Sequence, residues 1–99
     1  MDEFHQLDIL AKRQYNKGMD ESRKRLDKLR WTCLEFGGQI GMDLMKLWRT
    51  ADKLYTQCDI ASIDCRRYQR ETRKYLEAKI KLLDSIEFLE KRITFARML

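Results

Sequence analysis

The sequence predicts an all-α fold, and three observations support this prediction. The chain of 99 residues has no proline, and its glycines are confined to positions 18, 37, 38 and 41, so few positions can end a helix. Lys, Arg, Glu, Asp, Leu and Met, which helices tolerate well, dominate the composition. No segment alternates polar and apolar residues with the period of two that is typical of a strand. We therefore expect one helical domain over residues 1–99.

A long apolar stripe in the second half of the chain predicts its architecture. Apolar or small residues alternate at spacings of three and four, as in the seam of a coiled coil, and only Thr72 and Lys79 depart from the pattern. The simplest account is one helix from about 42 to 98, and its weakest helix-forming segment is 59–64. The stripe comprises Leu44, Leu47, Ala51, Leu54, Cys58, Ala61, Cys65, Tyr68, Thr72, Tyr75, Lys79, Leu82, Ile86, Leu89, Ile93 and Ala96.

The first third of the chain predicts a second helix, over about 3–36, that ends at a glycine turn. Phe36, Gly37 and Gly38 open a turn over 37–41, because two adjacent glycines can adopt the left-handed conformation that ends a helix. Asp43 suits the positive end of the next helix dipole. We therefore expect an antiparallel helical hairpin. The apolar positions of its first helix are Phe4, Leu7, Ala11, Leu26, Leu29, Cys33 and Phe36.

The register of this hairpin predicts that the two helices differ in length. With the turn centred near 39, Cys33 faces Leu44, Trp31 lies near Trp48, and Phe4 lies near Tyr75. The second helix then extends about 24 residues, or roughly 36 Å, beyond the first. The apolar side chains of this extension would have no partner within the chain, and apolar patches of this kind are rarely left exposed. They are Leu76, Ile80, Leu82, Leu83, Ile86, Phe88, Leu89, Ile93, Phe95, Met98 and Leu99.

Two arrangements would cover this overhang. In the first, a second copy or another helical protein packs against it, which makes the chain one part of a homo- or hetero-oligomer such as a dimer. In the second, the chain folds back at 59–64 and forms a three-helix bundle. The first arrangement predicts six partner-binding residues, four in the overhang and two tryptophans near the turn. The tryptophans either widen the core or form a docking patch. The six residues are Leu82, Ile86, Leu89, Ile93, Trp31 and Trp48.

The sequence contains no pattern of residues that predicts an enzyme, a metal site or a cofactor site. His5 has no neighbouring signature of a nucleophile or an orienting group. The three cysteines are spaced by 25 and 7 residues, which does not match zinc-ligand spacing, and Cys33, Cys58 and Cys65 fall on the apolar stripes, where cysteine packs as a small hydrophobe. Their odd number prevents complete pairing in disulfides and favours folding in a reducing compartment.

The charge pattern leaves a second function open. The formal net charge is +5, with eight basic and three acidic residues in 12–30 and six basic and three acidic residues in 64–79. A small dimeric nucleic-acid-binding regulator of phage or plasmid type is therefore the alternative to a protein-interaction module. A helical structural or capsid-associated subunit is a third option. The phosphate-binding residues of the regulator would be Arg66, Arg67, Arg70, Arg73 and Lys74.

The expected location is the cytoplasm. The first residues, MDEFHQLD, are acidic and lack the apolar region of a cleavable signal peptide. No apolar run approaches the about 20 residues that a membrane-spanning helix needs, so we expect no membrane contact. Export without a cleavable signal peptide stays open.

Short motifs resemble the Trp-x-Gly helical-hairpin family of type VII secretion and the small helical partners that are encoded beside LXG toxins. Phe36-Gly37-Gly38 occupies the turn where that family has Trp-x-Gly, Tyr55 and Asp59 match its Y-x-x-x-D export element, and Phe4 and Asp8 match the F-x-x-x-D variant. The turn here lacks tryptophan, and Y-x-x-x-D lies within a helix instead of near the C-terminal end. The resemblance implies an adaptor or chaperone-like role for a toxin or effector.

Overall fold

The computed structural model describes residues 2–67 and 72–99, with side chains described for 18–65, 67 and 72–99. Three helices form the fold: α1 (Asp2–Glu35), α2 (Gly38–Arg67) and α3 (Thr72–Met98). The described part of the chain contains no strand, which confirms the all-α prediction. The side chains of Phe4, His5, Asp8, Arg66 and Arg70 lie outside the described residues, as do those of Leu7, Ala11, Tyr15 and Tyr68.

The single helix expected from about 42 to 98 is wrong. Two helices, α2 and α3, occupy that range and pack side by side. A helix of 57 residues would extend about 85 Å, whereas the longest dimension of the molecule is 58 Å. The alternative prediction, a three-helix bundle, therefore describes the chain. Helix α2 extends to Arg67 and α3 begins at Thr72, and the segment 59–64, where the fold-back was expected, lies inside α2.

The turn between α1 and α2 is tighter than the predicted 37–41. Helix α1 ends at Glu35 and α2 already begins at Gly38, which has the left-handed φ of 63° that the glycine pair predicts. The amide of Phe36 donates to the carbonyl of Cys33 (3.2 Å), and the amide of Gly41 donates to that of Gly37 (3.3 Å). The chain thus reverses within two residues because Gly38 accepts a backbone conformation that side chains disfavour.

The buried residues confirm the predicted apolar stripe, but the stripe is covered by the same chain and not by a partner. Nine stripe residues are buried, and they pack against residues of the same chain, because α3 lies against α2 and also contacts α1. Cys33 lies at the level of Leu44 as predicted, with its thiol 3.9 Å from the Leu44 carbonyl oxygen. The buried stripe residues are Leu44, Ala51, Cys58, Cys65, Tyr75, Leu82, Ile86, Leu89 and Ile93.

Two small polar side chains are buried in the middle of the bundle. Ser22 and Ser62 are buried, and each donates its hydroxyl hydrogen to a carbonyl of its own helix, at Gly18 (3.0 Å) and Asp59 (2.7 Å). Because these hydroxyls are satisfied within their helices, they can be buried without the cost of an unpaired polar group.

Replacement of Gly41 by alanine is expected to lower the free energy of unfolding by about 2 kcal/mol. An added Cβ would collide with the carbonyl oxygen of Phe36, so backbone would have to move. Urea unfolding measures the loss, with Gly37→Ala as the matched control, because nothing lies within 4 Å of a Cβ at that position. Equal stability of the two variants would contradict the close approach at Gly41.

Candidate protein-interaction surface

Four of the six residues predicted to bind a partner are core residues of the bundle. Leu82, Ile86 and Leu89 are fully buried and Ile93 is 4% exposed. They were expected to be uncovered because the predicted hairpin left this segment without a neighbour. In the folded chain α3 turns back along α2, so the same apolar stripe packs inside the molecule. These residues are unavailable to a partner unless α3 leaves the bundle.

The two tryptophans have different roles. Trp48 is buried, its indole N–H donates to the carbonyl of Leu26 (2.7 Å), and the guanidinium of Arg30 lies 5.5 Å from its ring centroid. Trp31 is 69% exposed. The indole of Trp48 packs against α1 at Leu26, whereas the side chain of Trp31 is mostly exposed. Trp48 is a core residue, and only Trp31 can serve as a docking residue in this fold.

Replacement of Trp48 by phenylalanine is expected to destabilise the fold by about 2 kcal/mol, through loss of the hydrogen bond to Leu26 and underfilling of the core. Trp31→Phe is the matched control and should change stability by less than about 0.5 kcal/mol. Thermal unfolding followed by circular dichroism measures both. Comparable losses at the two positions would show that Trp31 is also packed.

Exposed apolar side chains concentrate at one end of the bundle. Twelve large hydrophobic residues of the described chain are exposed. Seven of them lie in the last two turns of α1, in the first two turns of α2, or in the last turn of α3 and the residue that follows it. We call this end the turn end. Its exposed apolar residues are Trp31, Leu34, Ile40, Met42, Phe95, Met98 and Leu99.

A groove opens between α1 and α2 at the turn end, with a volume of about 370 Å³. We call it the turn groove. Gly38 contributes no side chain to it, and nothing lies within 4 Å of where a Cβ at that position would be. Its apolar lining comes from both helices, and its charged lining comes from α2. The lining residues are Cys33, Leu34, Phe36, Gly38, Gly41, Met42, Met45, Lys46 and Arg49.

A smaller cleft of about 80 Å³ lies on the other side of α2, between α2 and α3. Ile40 and Leu47 of α2 line it together with Phe95 and Leu99 at the end of α3. The first turns of α2 therefore have a cleft on each side. Exposed apolar residues therefore lie on both sides of α2 at the turn end.

Charges along the α1–α2 seam are paired in its middle and not at the turn groove. Arg23 forms ion pairs of 2.8 Å with Asp27 and Asp52. Partial burial opposes its charge, but the hydrogen bonds to the two carboxylates outweigh burial and raise the pKa of Arg23 above its usual value. Within the described residues, the exposed side chains of Lys46 and Arg49 form no ion pair. The turn groove is therefore locally cationic.

The cysteines are structural, as the sequence predicts. Cys33, Cys58 and Cys65 are buried and free. Burial raises the pKa of Cys33 and of Cys58, which keeps both thiols protonated and weakly nucleophilic. Over the described ranges, no group of three or more His, Cys, Asp or Glu residues is placed to hold a metal ion.

The proposed export element lies within α2. Tyr55 is half-buried against the core, and the guanidinium of Arg23 lies 4.9 Å from its ring centroid. Burial and the neighbouring carboxylate of Asp59 both raise the pKa of Tyr55. Asp59 is also half-buried. Tyr55 is therefore a packing residue of the α1–α2 interface in this fold, and its ring is covered on one face.

The basic residues of the alternative function are partly described. Arg67, Arg73 and Lys74 are exposed at the end of the bundle opposite the turn end, and Arg73 pairs with Glu77 at 3.2 Å. Arg66 and Arg70 lie outside the described side chains, so the structure describes three of the five predicted phosphate-binding residues.

Sequence reasoning anticipated some of the turn-end surface and missed the rest. Trp31 was assigned to docking, and Phe95 was expected to lack a partner. Met42, Lys46 and Arg49 were not assigned to a site. The missed signal is their spacing of three and four residues directly after the glycine turn, which places them on one face of the first turns of α2.

Comparison of the chain with protein-family models, curated proteins and solved structures gives no match. No helix in the described part of the chain has both the length and the apolar character that crossing a membrane requires.

Proposed function

We propose that this protein is a non-enzymatic interaction module that binds another helical protein through the turn end. The observation that supports this proposal is the concentration of seven exposed large apolar residues at that end. The core does not use these side chains, and exposed apolar surface concentrated in one region is typical of interaction sites. Binding would proceed by burial of this surface, with flanking charges selecting the partner.

Trp31 and Leu34 are the expected anchors of this interface. They lie three residues apart on α1 and are 69% and 52% exposed, so a partner that covers them removes much apolar surface from water. Tryptophan is over-represented among interface residues that dominate binding energy. Methionine adapts its shape to different partners, and Met42 and Met98 lie on the same end with exposures of 60% and 74%.

We further propose an adaptor or chaperone-like role for a secreted toxin or effector. Two antiparallel helices, α1 and α2, joined by a glycine turn at Phe36-Gly37-Gly38, agree with the hairpin shape that the resemblance to type VII partners implies. In this role the partner is a long helical protein whose export depends on the complex. Co-expression with the product of an adjacent reading frame tests it, and the role is excluded if the two proteins elute separately from a sizing column.

Site-specific photo-crosslinking in cells tests the interaction surface. A photoreactive amino acid at position 34 is expected to yield a discrete crosslinked product, whereas the same group at Gln57 is expected to yield little. Gln57 is the matched control because it is exposed on α2 and lies away from the turn end. The crosslinked protein is then identified by mass spectrometry and purified for titration against the wild-type chain and Leu34→Asp.

The expected result is binding by the wild-type chain and at least about a tenfold loss for Leu34→Asp, with Gln57→Asp unchanged. Equal crosslinking from positions 34 and 57 would contradict a site at the turn end. So would binding that survives Leu34→Asp while circular dichroism shows both variants folded.

Nucleic-acid binding is the competing proposal, and the exposed Arg67, Arg73 and Lys74 near one end of the bundle support it. Phosphate contacts release counterions, so such binding weakens steeply as salt rises, whereas apolar burial holds or strengthens. A gel shift with generic duplex DNA at low and moderate salt separates the two. Retention of duplex at low salt that is lost at moderate salt, and lost in Arg67→Glu, would favour the regulator.

A further inference from the structure

We infer that the turn groove receives an acidic amphipathic helix of a partner protein, with a bulky apolar side chain entering the groove and Asp or Glu residues contacting Lys46 and Arg49. This inference rests on the proposed function and adds the chemistry of the partner. It follows from the shape, the lining and the charge of the groove.

The shape of the turn groove suits a side chain anchor. Its volume of about 370 Å³ lies at the lower end of the range of about 300–1,000 Å³ found for ligand-binding clefts. The groove is already open in the chain without a partner. A partner therefore need not create the space by moving the core, which lowers the cost of binding.

The lining of the groove suits an apolar anchor with variable shape. Leu34 and Met42 are more than half exposed, and Met45 is half-buried beside them. The unbranched thioether side chains of methionine can repack around leucine, phenylalanine or methionine anchors. Because α1 and α2 form opposite sides of the groove, a helix of the partner can lie along it. That helix would place residues at i, i+3 or i+4 and i+7 against the lining.

The charge of the groove selects an acidic partner. Lys46 and Arg49 are its two charged lining residues, both exposed and spaced as neighbours on α2. None of the lining residues is acidic, whereas further along the same seam Arg23 already has two carboxylate partners. Carboxylates on a bound helix would neutralise Lys46 and Arg49, while a basic helix would meet two like charges. Exposed charges of this kind govern partner choice more than affinity.

A display library of 18-residue helical peptides provides the probe. Every member has the same amphipathic frame, with Leu, Phe or Met at the anchor positions and Glu, Lys, Ser or Ala at the flanking positions. Selection against the wild-type chain is expected to enrich Glu at the flanks. The enriched peptide, synthesised and titrated by fluorescence anisotropy, is expected to lose at least about tenfold in affinity to Leu34→Asp and to the double variant Lys46→Glu, Arg49→Glu.

A reciprocal selection supplies the control. The Lys46→Glu, Arg49→Glu variant is expected to enrich lysine-flanked peptides with the same anchors, and the control pair Lys53→Glu and Arg67→Glu, exposed on α2 outside the groove, is expected to behave as wild type. Circular dichroism of each variant establishes that it is folded. If reversal of the two groove charges reverses the flanking charge of the selected peptides, the preference arises from the groove and not from the overall fold.

Three results would overturn the inference. The first is no enrichment, or enrichment that ignores the flanking charge. The second is concentration-dependent dimerisation in sedimentation velocity that Leu34→Asp abolishes, because the groove would then be covered by a second copy of this chain. The third is co-sedimentation with phosphatidylglycerol vesicles that needs both Leu34 and Lys46, because the occupant would then be a lipid surface. If crosslinking from position 34 identifies a partner while acidic peptides are not selected, the proposed function stands and only the partner chemistry fails.

Discussion

The Ile86→Asp variant is expected to be largely unfolded at 25 °C. Ile86 is fully buried on α3, and removal of a buried isoleucine side chain costs about 2–5 kcal/mol. A carboxylate in its place has no partner and adds the cost of burying a charge or of protonating it. The sum is comparable to the total stability of about 5–15 kcal/mol that is typical of small domains. Loss of the helical circular-dichroism signal measures the effect.

Phe88→Asp is the matched control, because Phe88 lies two residues further along α3 and is 54% exposed. It should keep its helical signal and unfold cooperatively, with a change in stability of about 1 kcal/mol or less. An Ile86→Asp variant that stays fully helical and monomeric would mean that α3 does not depend on packing against the rest of the chain. That result would support the predicted hairpin, in which the second helix extends beyond the first.

The apolar stripe could be predicted from sequence because it depends on local spacing alone. Ala51, Cys58 and Leu82 fall on the 3–4 alternation, and each is fully buried. The glycine turn was equally predictable, since Gly38 has the left-handed φ that few other residues adopt.

The partner of that stripe could not be predicted from spacing. A seam from Leu44 to Ile93 can face a second chain or, if the helix is interrupted, its own other half. Both choices bury the same residues, and they differ only in whether the chain reverses. The segment 59–64 was the predicted site of an interruption because Asp59 and Ser62 have low helix propensity. Within α2, however, the Ser62 hydroxyl bonds to the Asp59 carbonyl, and tertiary packing buries Ser62 completely.

The candidate interaction surface was likewise predicted only in part. Trp31 was predicted to be available and is exposed, whereas Trp48 was predicted alongside it and is buried. The two residues have the same chemistry, and only the orientation of each helix about its axis separates them. The indole N–H of Trp48 donates to the Leu26 carbonyl on α1, whereas Trp31 is 69% exposed. Spacing along the chain does not fix that orientation closely enough to separate a docking residue from a core residue.

A chain that ends after Arg67 is expected to lose most of its helical signal at 25 °C, although it retains all of α1 and α2. Helix α3 contributes the buried side chains of Tyr75, Leu82, Ile86, Leu89 and Ile93. Without them the apolar faces of α1 and α2 are covered only by each other, and helices with little tertiary packing are marginal in water. Circular dichroism of residues 1–67 beside the full chain, at equal concentration, measures the loss.

Addition of a synthetic peptide of residues 72–99 should restore helicity to the 1–67 chain and saturate at a ratio of one to one. The restoring contacts are those of the buried α3 stripe, so a peptide with Phe88→Asp should act as wild type and one with Ile86→Asp should fail. A 1–67 chain that is fully helical alone and indifferent to either peptide would identify the α1–α2 hairpin as the folding unit. Helix α3 would then be a dispensable arm whose apolar stripe is available to a partner, and the binding surface would have to be sought there instead of at the turn end.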